Sequence, residues 1–161
     1  MSFRLALAAL LVLPWLHGDG AHTRAQFGEW VLDIHKDAFG ARTSCKLSAP
    51  HLNYLRRALV IQVGKDIDTS SAAYRIDGQA PIWARWDALA LARLGFAVES
   101  GGLSNPSDGL VTIPLVRLTS AHVIAVRPRP ADQPRLYKID GLTTALDKAA
   151  ALGCAPDAFD D

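Results

Sequence analysis

Glu29-Trp30-Val31-Leu32-Asp33-Ile34-His35-Lys36 alternates apolar and polar residues without a break. Trp30, Leu32 and Ile34 fall on one side of an extended chain and Val31, Asp33 and His35 on the other, the pattern of a half-buried β-strand. Asp37-Ala38-Phe39-Gly40 supplies a turn, and Arg42 to Leu47 reads as the returning arm of a hairpin, with Cys45 on it. Working outward, the same strand signature recurs. Ala58–Val63 is rich in β-branched residues, and Ala72–Ile76 is stopped by Asp77-Gly78. Leu110–Leu118 is apolar but holds Pro114, which confines it to a sheet edge or breaks it. His122–Arg127 and Leu136–Ile139 are two more strands, and Phe96–Glu99 is a short one.

Two helices are predicted among these strands. Trp86–Leu94 has Leu89, Ala90, Arg93 and Leu94 at helical spacing, with Asp87 placed to cap it and Gly95 to end it. The second is clearer. Leu142, Ala145, Leu146 and Ala149 line one face between Asp140-Gly141 and Gly153. Residues 100–109 read as loop, as does the proline-punctuated stretch from Arg127 to Pro134, and Asp160-Asp161 as a frayed end. Many strands with one late helix give an α+β fold. It is mainly antiparallel, a sandwich or a curved sheet, with the C-terminal helix packed on it.

The start of the chain sets the expected compartment. Arg4 precedes an uncharged apolar run, Leu5 to Leu13, which Pro14 and Gly18 then break. This is the layout of a secretory signal peptide, and the run is too short for the ~20 residues of a membrane span. Thr23-Arg24-Ala25 places cleavage before Gln26, with Ala21 as the alternative. The expected organisation is therefore a leader, residues 1–25, and a single β-rich domain, residues 26–161. The product is expected to be periplasmic or secreted, with no stable membrane anchor after leader cleavage. In an oxidising space the only two cysteines, Cys45 and Cys154, are expected to form a disulfide, tying the last helix to the first hairpin.

Charge and motifs narrow the function. The chain has 17 basic and 16 acidic residues, and losing Arg4, Asp19 and Arg24 with the leader leaves 15 of each. A general attraction to nucleic acid or anionic lipid is not expected from that balance. There is no G-x-S-x-G, no P-loop, no G-x-G-x-x-G and no C-x-x-C, so serine hydrolysis, nucleotide cofactors and redox chemistry have no motif behind them. No catalytic residues and no cofactor are assigned.

The candidate binding residues form two groups. Trp83, Arg85 and Trp86 offer aromatic faces and a cation for a sugar or a partner surface; one of two tryptophans so close placing its ring in the core is the alternative. Arg127, Arg129 and Arg135, around Pro128, Pro130 and Pro134, offer a rigid loop that grips a carboxylate or phosphate; a solvated turn accounts for the same residues. Asp33 and His35, with Asp37, share one strand face and are the candidates for a divalent metal; the polar side of an amphipathic strand explains them equally, and no metal site is expected. Asp66 and Asp68, with Asp77 further on, are the candidate carboxylate pair for acid–base work; solvated acids near a loop account for the same residues.

A wider order of residues follows from these elements. Trp30 and Cys45 come first, then Tyr74-Arg75-Ile76-Asp77-Gly78 with a tryptophan soon after, then Ile113-Pro114-Leu115. Val126-Arg127-Pro128 precedes Tyr137-Lys138-Ile139-Asp140-Gly141-Leu142, and a helix with Cys154 closes the chain. This order resembles small exported bacterial proteins of the invasion-associated-locus-B type, and also the periplasmic accessory proteins of type VI secretion clusters. The resemblance implies a non-enzymatic role in the cell envelope. The expected function is thus an exported periplasmic binding or accessory protein, its partner an envelope protein or a small ligand. The alternatives are a periplasmic inhibitor of a lysozyme-type lytic enzyme and a metal-dependent envelope hydrolase. The inhibitor reading draws on Thr69-Ser70-Ser71-Ala72-Ala73-Tyr74, which is similar to the serine-rich loop of some lysozyme inhibitors.

Overall fold

The strands expected at Glu29–Lys36 and Arg42–Leu47 pair as neighbours within a six-stranded antiparallel sheet. The computed structural model describes residues 21–37, 42–96 and 108–159. Most of the expected leader, the turn at residues 38–40, most of the strand expected at 96–99, the loop at 100–107 and the last two residues lie outside them. In chain order the larger sheet uses β1 (His22–Phe27), β2 (Trp30–Lys36), β3 (Thr43–Ala49), β4 (Leu52–Leu55), β5 (Ala58–Gln62) and β8 (Leu110–Pro114), which are neighbours in that order. The smaller sheet holds β6 (Ala73–Ile76), β7 (Ile82–Trp83), β9 (Val123–Arg127) and β10 (Arg135–Lys138), in the order β10-β9-β6-β7. Every pairing is antiparallel. The α+β expectation, mainly antiparallel strands with a C-terminal helix, is what the chain adopts.

Strand alternation builds the core. Leu32 lies opposite Leu47, Leu47 opposite Tyr54, and Tyr54 opposite Leu59, which in turn faces Ile113. All five are buried and form one apolar row across the larger sheet. Tyr74, Ile76, Ile124 and Val126 are the matching inner face of the smaller sheet. Both sets belong to one continuous cluster. Each fully buried large side chain contributes about 1.5–3 kcal/mol relative to exposure.

Helix α2 (Leu142–Ala151) closes one side of that core with Leu142, Ala145 and Ala149. Gly141, at φ 78°, turns the chain into it, and the Trp30 indole N–H donates to the Asp140 carbonyl at 3.0 Å just before the helix starts. At the other end Cys154 is bonded to Cys45 on β3, 109 residues earlier, with both sulfurs buried. The expected pinning of the last helix to the first hairpin is therefore present. Pro114 ends β8 on the sheet edge, and the chain passes into a 3-10 turn, Leu115–Arg117.

Three strands were not foreseen, the two-residue β7 among them. Strand β4 is entered through His51 (φ 63°) and left through Arg56 and Arg57 (φ 47° and 60°). These two-residue turns lack the glycine or asparagine that normally marks such geometry. Strand β1 lies across the expected leader boundary, with Arg24 opposite Asp33 and His22 opposite His35.

The middle helix differs from its prediction. A 3-10 turn, Ala84–Asp87, leads into a six-residue helix α1 (Ala88–Arg93), and Asp87 caps nothing. Its side chain turns inward, where it is 1% exposed. The physical reason is competition. A helix N-cap offers backbone N–H groups, but Asp87 is offered a phenol and a guanidinium instead.

Candidate functional site

The outer face of the smaller sheet carries the most site-like feature among the described residues. It is set by register. Arg75 on β6 lies opposite Ala125 on β9, and Arg127 on β9 lies opposite Ala73 on β6. The four positions alternate arginine and alanine at the corners of one square. On diagonally related strand positions the two arginine Cβ atoms stand about 7–8 Å apart. Leu136 extends the first row on β10, and Trp83 extends the second on β7.

The small alanines between larger neighbours leave a groove of about 410 Å³, bordered by Pro81, Pro134 and Leu136. Leu136 is 73% exposed, unusual for a large apolar residue on a strand. Neither Arg75 nor Arg127 is ion-paired with a carboxylate among the described residues. Two unpaired guanidiniums over an apolar floor can hold an anion, and the floor can take an apolar group beside it.

Beneath this face lies a buried polar knot. The Tyr74 hydroxyl donates to Asp87 Oδ2 at 2.6 Å, and Arg117 Nε–H donates to Asp87 Oδ1 at 2.6 Å. Burial pushes the Tyr74 phenol far above its ordinary value, and the hydrogen bond to the Asp87 carboxylate adds to that. Its own hydrogen bond to Asp87 raises the Arg117 guanidinium, so the cation stays protonated. The knot ties β6, the 3-10 turn before α1 and the turn after β8 together. It fixes the strand that presents Arg75.

The candidates named from sequence fall in several places. Arg85 lies over the Trp83 ring, 5.3 Å from its centroid, while Trp86 is 62% exposed to solvent. Trp83 and Arg85 thus form a pair beside the groove, and neither tryptophan is a core ring. The three loop arginines do not converge. Arg127 points to the outer face. Arg135 lies opposite Val126, a core position, and therefore on the other side of the sheet, where it borders a second cleft with His51, Lys65 and Tyr137. Arg129 is occupied by Asp132, to which it donates through Nε at 2.9 Å and through a terminal nitrogen at 3.0 Å. Alternation along β9 and β10 is the cause of the split.

Asp33 and His35 do share one face, but their neighbours there come from β1. Asp33 Oδ1 has His22 Nε2 at 3.6 Å and Arg24 Nε at 3.7 Å, both beyond hydrogen-bond distance, and it accepts no hydrogen bond although enclosed. A guanidinium beside the carboxylate is the wrong neighbour for a metal ligand set. Among the described residues no three His, Cys, Asp or Glu side chains gather as ligands.

Asp68 and Asp77 serve their own loops. Asp68 accepts the Ser70 N–H at 2.8 Å, and Asp77 accepts the Val123 and His122 N–H groups at 2.8 and 3.0 Å. Those backbone donors hold both carboxyls below the usual carboxylate range. Asp66 is exposed at φ 60°. The stretch 69–74 is no protruding loop: Thr69, Ala72, Ala73 and Tyr74 are buried. Ser70 and Ser71 between them are half-buried.

Sequence reasoning missed Arg75, Ala125 and Leu136 as partners of Arg127. The alternation that puts Arg75 and Arg127 on polar faces is visible in the chain, but the register that sets them diagonal is not. Among the described residues no helix is long and apolar enough to cross a membrane. Compared with protein-family models, curated proteins and solved structures, the chain matches none.

Proposed function

We propose that the protein is an exported binding or accessory protein of the bacterial cell envelope, working without catalysis of its own. The observation that carries this reading is the groove between Arg75, Arg127 and Leu136, with two cations that have no acidic partner among the described residues. Two arginines and a solvent-facing leucine lining one groove are the groups that a ligand or partner with a charged and an apolar part engages. A buried disulfide supports an oxidising location. The resemblance to the invasion-associated-locus-B type and to type VI accessory proteins points to the same role.

The test is capture from an envelope extract. Immobilised wild-type protein is expected to retain a defined component, identified by mass spectrometry, that an Arg127→Glu variant does not retain. Retention of nothing, or of the same component by both proteins, counts against the reading.

A further inference from the structure

We propose that the groove on the smaller sheet takes a small amphipathic anion: one carboxylate or phosphate head carried on an apolar body. This rests on the binding role proposed above and names the ligand class. Three features of the groove argue for it.

The first is the cations. Arg75 and Arg127 sit at diagonal positions of β6 and β9, on the same face and, among the described residues, with no carboxylate paired to either. The nearest acid along the strand, Asp77, has its carboxylate engaged by the N–H groups of His122 and Val123. Guanidinium stems are long enough to bring both forks to one anion between them, and each fork offers two parallel donors to a carboxylate or phosphate. The chain as a whole carries a formal net charge of only +1, so this pairing of cations is local.

The second is the floor and walls. Ala73, Ala125, Val123, Pro81, Pro134 and Leu136 give the groove an apolar lining. An inorganic ion would satisfy the arginines and leave Leu136 in water. A neutral apolar molecule would cover Leu136 and leave the arginines unpaired. Only a ligand with both parts answers the whole site. The third is size. At about 410 Å³ the groove lies near the lower end of the range for small-molecule sites, roughly 300–1,000 Å³. That limits the ligand to one modest chain or ring system.

Isothermal titration calorimetry with four probes tests this: decanoate, decyl phosphate, decanol and acetate, each below its aggregation concentration. Decanoate or decyl phosphate is expected to bind saturably, and the comparison of the two identifies the preferred head. Decanol lacks the charge and acetate lacks the chain, so both are expected to bind at least about tenfold more weakly. Arg75→Gln and Arg127→Gln are each expected to weaken the anionic probe about tenfold, the loss of one charge-assisted pair. Leu136→Ser is expected to weaken decanoate and leave acetate unchanged. All three positions face solvent or the groove, and near-ultraviolet circular dichroism checks that each variant is folded.

Binding that survives in the Arg75→Gln/Arg127→Gln double variant overturns the proposal, as does no binding of either anionic amphiphile. The two readings fail separately. If neither probe binds but the envelope extract yields a component that depends on Arg127, the ligand class is wrong and the binding role stands. If both experiments are empty, both fall.

Discussion

The phenol of Tyr74 and the carboxylate of Asp87 meet at 2.6 Å, joining an inward position of the smaller sheet to the turn before α1. Asp87 is almost wholly enclosed, and its second oxygen is held by Arg117, which keeps 38% of its side chain in water. The pair is thus a hydrogen bond to a charged acceptor in a dry place. Such a bond contributes about 1.5–3 kcal/mol. Tyr74→Phe is expected to destabilise by about that amount. Asp87→Ala leaves a buried phenol and a stranded guanidinium and is expected to lose about 3 kcal/mol or more. Urea unfolding of both single variants and the double variant measures the coupling. Simple additivity would show that the two groups do not act together.

The bridge between Cys45 and Cys154 closes a long loop, a separation of 109 residues. In the chain-entropy description, replacing both cysteines with alanine lowers stability by roughly 4–5 kcal/mol. Native protein is expected to resist alkylation until reductant and denaturant are both present, because both sulfurs are buried. Rapid labelling of either thiol in folded, unreduced protein would contradict the bridge.

His122 and Asp140 form an exposed pair, the ring Nδ1–H donating to the carboxylate at 2.8 Å. That hydrogen bond, with the charges of Asp140 and Asp77, raises the His122 pKa above its ordinary value. The raised value fixes the sign. The native state holds the proton more tightly than the unfolded chain, so the pair contributes fully below the unfolded pKa of about 6.5. The contribution disappears as pH rises through the folded value. Ring titration by nuclear magnetic resonance is expected to show the raised midpoint, and Asp140→Asn to bring it down. Because the pair faces solvent, high salt is expected to narrow the difference. An unchanged midpoint in Asp140→Asn would reject the pairing.

Strand β1 constrains any processing of the amino terminus. A cut before Gln26 removes His22, Thr23, Arg24 and Ala25, four of its six residues. It also takes His22 and Arg24 from beside Asp33. A cut that keeps the sheet intact falls before His22. Intact-mass analysis of exported protein is expected to give a first residue no later than His22. A mature chain beginning at Gln26 would show that β1 is dispensable.

How far the sequence carried the structure depended on where each residue's partner lay. Strands β2 and β3 were legible because Trp30, Leu32, Ile34, Cys45 and Leu47 alternate within a short window. Helix α2 was legible for the same reason, from Leu142, Ala145 and Ala149. Strand β4 was hidden because Arg56 and Arg57 adopt positive φ without the residues that usually announce it. Strand β1 was hidden because its outward positions are polar and exposed, so little apolar pattern marks it. Asp87 looked like a cap because its true partners stand 13 and 30 residues away. The groove was half visible. Arg127 was singled out, but among loop neighbours that diverge, while its diagonal partner Arg75 lay in a strand read only for its apolar members.

The sulfur link has a mechanical consequence. When the molecule is stretched from its two ends, tension enters through β1, β2 and β3, reaches Cys45, crosses to Cys154 and leaves by the short tail. The strands that frame the arginine groove all lie in the bypassed segment. A peptidase nick inside that segment would likewise leave two fragments joined by a covalent strap, so a damaged molecule would still migrate as one piece until reduced.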